Sequence, residues 1–320
     1  MSGDRQRGPA RARPSSFHER NNQLYTRPAA PAGYPTVVSH YQIAPLLAAW
    51  QSRPDEVAAL DMESSANLDL SIVPVHLDND GIHYPDGSRL TWAQAARIIE
   101  TPNQCFEIGG EGEPRAIALF SETTNALRSL MPTSGAPTML VSGFSMHRIK
   151  GTEPWADTQA KMRALTPIAG GRALDTTTGL GYTALIAARA ADEVVTIELD
   201  PTGLEIARRN PWSSELFTRP NIHQRLGDAF EVISELPSGG FDYVLHDPPY
   251  FSLAGELYSE EMYRRIYRVL RPGGKLFHYI GDPASQSGAR VTAGVLRRLE
   301  AAGFRALTRQ PAAFGVSAIK

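Results

Sequence analysis

From about residue 160 onward, short apolar runs rich in Val, Ile and Leu alternate with stretches whose apolar residues recur every three or four positions. The first pattern predicts buried strands and the second amphipathic helices. Strands are expected at 172–175, 194–199, 222–226 and 241–246, and another after Arg271-Pro272-Gly273-Gly274. Helices are expected at 256–270 and 288–302, followed by an antiparallel pair at 303–309 and 312–319. Strand–helix alternation of this kind defines an α/β fold with a mostly parallel sheet and crossover helices.

Upstream, residues 36–150 lack that alternation and read as a smaller α+β domain. Ile43, Leu46, Leu47 and Trp50 lie at helical spacing and predict a helix over 39–51; Thr91 can cap a helix over 92–100. Strands are expected at 57–60, 68–77, 104–108, 115–120 and 137–141, with a helix over 121–130. Residues 1–35 carry six arginines and five prolines among few apolar residues, so they are expected to form a disordered basic tail. The expected division is thus 1–35, 36–150 and 151–320.

Composition narrows the function classes. Net charge is −2 over 320 residues, so no global basic field announces nucleic acid. No apolar run has the length of a membrane span, and no apolar leader opens the chain, so a cytoplasmic protein is expected. The single cysteine, Cys105, excludes an intrachain disulfide and paired-cysteine metal sites, and no metal site is expected.

The chemistry concentrates at strand ends, where open α/β sheets bind ligands. The 241–246 strand stops at Asp247-Pro248-Pro249-Tyr250. Proline gives up its N–H, so this backbone offers carbonyl acceptors only; Asp247 adds an ionised acceptor, and Tyr250 a flat π-face. The slot suits a planar group carrying N–H₂. At the first strand, Asp175-Thr176-Thr177-Thr178-Gly179-Leu180-Gly181 leads into a helix, and Gly179, Gly181 and Ala184 fit the G-x-G-x-x-G/A spacing. Glu198, Leu199 and Asp200 end the second strand roughly 20 residues on, where an acid meets ribose hydroxyls. Gly227-Asp228-Ala229 follows the third strand.

In order, these elements resemble the class I S-adenosylmethionine-dependent methyltransferases, whose N-methylating members carry [DNS]-P-P-[YFW] at this position. The resemblance covers about residues 160–320 and implies a Rossmann-like sheet with an antiparallel C-terminal strand. It implies S-adenosylmethionine as cofactor, held by Asp175, Thr176, Thr178, Gly179, Gly181, Glu198, Leu199, Asp200, Asp228 and Ala229. It implies methyl transfer to a planar nitrogen by Asp247, Pro248, Pro249 and Tyr250, with RNA a mild favourite over protein or a small amine. Asp175-to-Ala184, Asn210-Pro211-Trp212-Ser213, the 246–259 stretch and Leu276-Phe277-His278-Tyr279 also resemble a group of predicted archaeal-type methyltransferases. Gly255-Glu256-Leu257-Tyr258 with Met262-Tyr263 resembles spermidine-synthase-like aminopropyltransferases, which use decarboxylated S-adenosylmethionine. Against that reading, Leu180-Gly181 and Val244 stand where those enzymes carry acids.

Two further expectations concern single residues. Strand alternation turns His246 away from the ligand if Asp247 faces it. His147 or Arg148, just ahead of the sheet, is expected to reach the active site. A third functional class, a non-catalytic RNA-binding protein, would use Arg264, Arg268 and Arg271 with Arg265 along one helix.

Overall fold

The computed structural model describes residues 24–56, 58–109, 113–249 and 255–320. Its largest sheet has seven strands: β1 (Arg172–Asp175), β2 (Glu193–Glu198), β3 (Ile222–Leu226), β4 (Phe241–His246), β5 (Leu270–Tyr279), β6 (Arg305–Gln310) and β7 (Gly315–Ile319). Their spatial order is 3-2-1-4-5-7-6. The first five run parallel, and β7 pairs antiparallel with both β5 and β6. The order reverses between β1 and β4, the place where an open α/β sheet forms its ligand crevice.

The sheet is covered on both faces. Helices Ala229–Glu235, Glu260–Val269 and Gln286–Ala301 bury Val232, Ile233, Met262, Ile266, Val295 and Leu299 on one face. Helices Pro154–Arg163, Tyr182–Ala187 and Pro201–Arg208 cover the other, and there the core continues into the N-terminal half through Val37, Leu68, Cys105, Leu130 and Met139. A boundary near residue 150 therefore does not interrupt the packing. A smaller core of Val38, Ile43, Leu46, Leu77, Ile82 and Leu90 lies within the N-terminal half.

Among the described residues, that half holds one three-stranded and two four-stranded sheets. Capping boxes start two of its helices, Ser39–Gln42 ahead of His40–Ser52 and Thr91–Gln94 ahead of Trp92–Ile99. The helix expected over 121–130 is instead a hairpin. Ala118–Ser121 pairs antiparallel with Ala126–Met131, placing Phe120 opposite Leu127. Ser121 Oγ accepts from Thr124 N, and Asn125 takes the left-handed conformation at φ 49°, so the chain turns where a helix would have to start. The strand expected over 68–77 begins only at Val73, because Leu68 and Asp69 are both left-handed.

The basic tail was expected to run to residue 35. Residues 24–34 instead pack on the large sheet's helices: Leu24 is buried, Arg189 donates to the Leu24 and Thr26 carbonyls, Ala29 N donates to Glu215, and Tyr34 OH donates to the Arg208 carbonyl. Among the described residues, no helix is long and apolar enough to cross a membrane.

Candidate active site

The carboxyl ends of β1 and β4 are adjacent in register, with Asp175 beside Leu245. Asp175 is fully buried. Its Oδ2 accepts from Thr183 Oγ1 at 2.9 Å and Thr196 Oγ1 at 3.1 Å, while its Oδ1 is buried without an aligned hydrogen bond, the Thr177 backbone N–H being the donor near the carboxylate. An isolated buried carboxylate oxygen is costly, and burial pushes the Asp175 carboxyl up to about 7. Such an orphan acceptor fits the ammonium of an amino-acid-bearing cofactor.

The loop beyond it is built for close approach. Gly179 and Gly181 take φ of 52° and 76°, and a Cβ on Gly181 would stand 2.6 Å from the Leu216 side chain. Glu198, buried at the end of β2, fixes this loop: its Oε2 accepts from Gly179 N at 2.9 Å and its Oε1 from Asp200 N at 3.1 Å. Burial raises the Glu198 carboxyl above the usual range. Thr178 is buried and pairs with Thr196 through their hydroxyls at 2.6 Å. Leu199 stands 48 % exposed just beyond β2. Asp228 caps helix Ala229–Glu235 by accepting from Phe230 N and is itself exposed, while Ala229 is buried.

Asp200 departs from its expected role beside Glu198. Its Oδ1 caps helix Pro201–Arg208 through Thr202 N, and its Oδ2 receives Arg128 Nε and Thr124 Oγ1 from the N-terminal hairpin. Its carboxylate is engaged in joining the two halves of the chain rather than facing a ligand.

At the end of β4, Asp247 is partly exposed and its neighbour Pro248 buried. Lys161 Nζ, from the helix ahead of β1, donates to Asp247 Oδ2 at 2.6 Å and lies 3.0 Å from Asp157 Oδ2. Burial acts to lower the Lys161 pKa, but Asp247 and Asp157 outweigh it, so the ammonium titrates above the ordinary lysine value. Asp247 is raised by its own burial, against the pull of Lys161. No described residue donates to Asp247 Oδ1. The backbone is held too: Thr177 Oγ1 donates to the Asp247 carbonyl at 2.7 Å and Tyr258 OH to the Pro249 carbonyl at 3.1 Å. Tyr250 lies outside the described residues.

His246 points away from this slot. Its Nε2 meets the Leu257 carbonyl at 2.7 Å, which makes Nε2 the protonated nitrogen, so Nδ1 accepts from Thr176 Oγ1 at 2.7 Å. Full burial lowers its pKa to about 4 and keeps it neutral. Of the pair ahead of the sheet, His147 is stacked on Tyr182 and bonded to Thr138, whereas Arg148 joins the site through Asp157 Oδ1 at 3.2 Å. Sequence reading missed Lys161, Asp157, Thr183 and Thr196. Asp157 and Lys161 form an i,i+4 pair that was visible as such, but nothing local says that it reaches Asp247.

The arginine row is engaged elsewhere. Arg265 and Arg268 donate to the Phe230, Ile233 and Leu236 carbonyls around helix Ala229–Glu235, Arg264 pairs with Glu260, and Arg271 with Asp242. These bonds satisfy backbone carbonyls and neighbouring carboxylates, which is a structural role.

The seven-stranded topology and the β1–β4 crevice define a protein of the Rossmann-like methyltransferase fold. Residues 173–274 match the family described as a methyltransferase domain, and S-adenosylmethionine is the cofactor this implies. The chain is 47 % identical over 199 residues to the uncharacterized protein MJ1233 of Methanocaldococcus jannaschii, covering 62 % of this chain and 68 % of that protein. It belongs to the family of that archaeal protein. A polyamine aminopropyltransferase of Mycobacterium tuberculosis is 32 % identical over 113 residues, 33 % of this chain but 22 % of that enzyme. A crystal structure of spermidine synthase with the transition-state analogue AdoDATO superposes with a TM-score of 0.51 at 19 % identity, covering 63 % of this chain and 73 % of that one. The last similarity is one of fold.

Proposed function

We propose that this protein is an S-adenosylmethionine-dependent N-methyltransferase acting on a planar amino nitrogen. The observation that carries the reading is Asp247 at the end of β4: one carboxylate oxygen is held by buried Lys161 and the other is open to a donor. When bound, S-adenosylmethionine supplies an electrophilic methyl group. Asp175, with its orphan oxygen, would hold the ammonium of that cofactor, Gly179 and Gly181 would let it approach, and Glu198 would face its ribose. Asp247 Oδ1 accepts one amino hydrogen and the Pro248 carbonyl the other. Two acceptors in the plane of the amino group direct its lone pair out of that plane. Orientation of this kind accounts for roughly 7–11 kcal/mol of a bimolecular barrier.

The acceptor class is the conjugated N–H₂ group: adenine N6, cytosine N4, guanine N2 or a glutamine amide. A base would have to be unpaired or flipped out to reach the slot. RNA is the first acceptor to try, because single-stranded regions present such bases without an unpairing cost. The test is transfer of labelled methyl to unstructured oligoribonucleotides, glutamine-containing peptides and small amines. Asp247→Asn should lower kcat on the order of 10²-fold or more with cofactor affinity preserved. Full activity in that variant would refute the assignment.

Aminopropyl transfer is the second reading; what supports it is the 32 % identity to a polyamine aminopropyltransferase over 113 residues, which span 22 % of that enzyme. Val244 argues against it: this buried position, three residues ahead of Asp247, carries no acid to bind an amine.

A further inference from the structure

The carboxylate of Asp247 belongs to a longer line of charge. Arg148 pairs with Asp157 Oδ1 at 3.2 Å, Asp157 Oδ2 with Lys161 at 3.0 Å, and Lys161 with Asp247 at 2.6 Å. The signs alternate and sum to zero. The two inner members are shut off from solvent, Asp157 at 0 % and Lys161 at 2 %, while Asp247 and Arg148 are each 21 % exposed. Arg148 is itself anchored: its guanidinium lies 3.7 Å over the Phe314 ring and donates to the Ala312 carbonyl at 2.9 Å, on the connection between β6 and β7. Lys161 Nζ rests 4.3 Å over the Tyr279 ring at the end of β5. The line thus ties three parts of the sheet's carboxyl edge to one carboxylate.

We propose that Lys161 is a positioning residue for Asp247, and that the Arg148–Asp157–Lys161–Asp247 line makes the acceptor slot electroneutral, so that the nitrogen it takes is uncharged. The inference rests on the methyltransferase reading and names its substrate class. A buried ion pair loses its desolvation penalty only against close partners, and Lys161 is hydrogen-bonded to Asp247 while the Asp157 carboxylate, close but without an aligned hydrogen bond, balances its charge from the other side. A cationic amine approaching Asp247 Oδ1 would meet the ammonium already bonded to Oδ2, and the attraction of the one would be cancelled by the repulsion of the other. A neutral N–H donor meets no such opposition and still finds an acceptor fixed in place. The charged and titratable groups around the slot are Asp157 and Lys161 from the Pro154–Arg163 helix, Asp175 from β1, His147 and Arg148 ahead of that helix, and Tyr279 from β5. His147, with its pKa lowered to about 3 by burial and by Lys161, adds no charge, and the Asp175 carboxylate is answered by the ammonium of the bound cofactor on the reading above. A polyamine, cationic along its length, gains no net attraction from the slot on this account and must shed a proton before its nitrogen can occupy it.

Two cofactor analogues test the inference without a known acceptor. S-adenosylhomocysteine lacks the transferable methyl; sinefungin puts a protonated amine in its place. Calorimetry on the wild type should find the two bound within about three-fold of each other. Lys161→Met leaves Asp157 and Asp247 short of a cation and should favour sinefungin by about ten-fold or more, whereas Lys161→Arg should return near parity. A thermal melt checks folding; should Lys161→Met not fold, Lys161→Gln, which removes the same charge but keeps a hydrogen-bonding side chain, replaces it with the same expected gain. A wild-type preference for sinefungin of ten-fold or more, unchanged when Lys161 is replaced, would overturn the inference and leave the cofactor reading intact. Failure of the wild type to bind either analogue would remove that reading and the inference with it.

Discussion

The carboxyl edge of the sheet and the layer behind it treat polar groups in opposite ways. At the edge, Asp175 keeps a buried oxygen without an aligned hydrogen bond and Asp247 keeps one oxygen open. Behind it, His246 and His278 have both ring nitrogens bonded, Tyr263 OH meets His278 Nε2, and the arginines on the Glu260–Val269 helix close off carbonyls of the neighbouring helix. Both regions are rich in residues that could do chemistry. The difference teaches that residue type alone does not mark a site here; unmet carboxylate oxygens gathered at one end of the sheet do, whereas the buried Tyr84 hydroxyl and His40 Nδ1 lack partners singly, in the N-terminal half. The charged row that suggested RNA binding in the sequence is satisfied within the fold, and the carboxylates at β1 and β4 are not.

The contrast can be broken first at Asp175. Asp175→Asn keeps the shape but removes the charge that a bound ammonium would meet, and should weaken S-adenosylmethionine on the order of 10²–10³-fold by calorimetry. Loss of only two- or three-fold would mean that the orphan oxygen is a structural accident.

The second break concerns the histidines. His246 has its pKa lowered to about 4 and His278 is pushed well below the ordinary value, in both cases chiefly by burial. Each is neutral when folded and takes up a proton more readily when unfolded. Their contribution to stability is therefore complete above about pH 6.5 and is lost as pH falls below it; for His246 the loss amounts to roughly 3 kcal/mol by pH 4. Thermal midpoints measured between pH 7.5 and 4.5 should fall across that window, and His246→Asn should flatten the fall.

The smallest effects belong to the arginine row. Arg268→Ala removes donors to the Ile233 and Leu236 carbonyls and should cost about 1–2 kcal/mol in denaturant unfolding. Arg264→Ala, which loses an exposed pair with Glu260, should cost about 0.5 kcal/mol or less. A loss of RNA affinity and salt dependence in both variants, with stability unchanged, would reverse the comparison.

Much of the sheet was legible in the sequence. The bounds of β1 and β4 follow from buried apolar runs closed by Asp or Pro, because a buried parallel strand needs continuous hydrophobicity and an abrupt stop; β3, an edge strand that buries only Ile222, is bounded by the Gly227-Asp228 turn that follows it. The glycine loop and the Asp-Pro-Pro step were legible for the same local reason. The 121–130 hairpin was not, since Ala126–Met131 mixes buried and exposed positions without a clear period and its turn depends on one left-handed Asn. Lys161 was not, because its bond to Asp247 spans 86 residues and is made by the fold. Asp200 read as a ligand residue because spacing cannot distinguish a carboxylate that faces a crevice from one that caps a helix and holds Arg128.

The most direct measurement is calorimetric titration of the wild type with S-adenosylmethionine and, separately, with decarboxylated S-adenosylmethionine. The methyltransferase account predicts tighter binding of the intact cofactor. Tighter binding of the decarboxylated form would contradict it and move the protein to aminopropyl transfer.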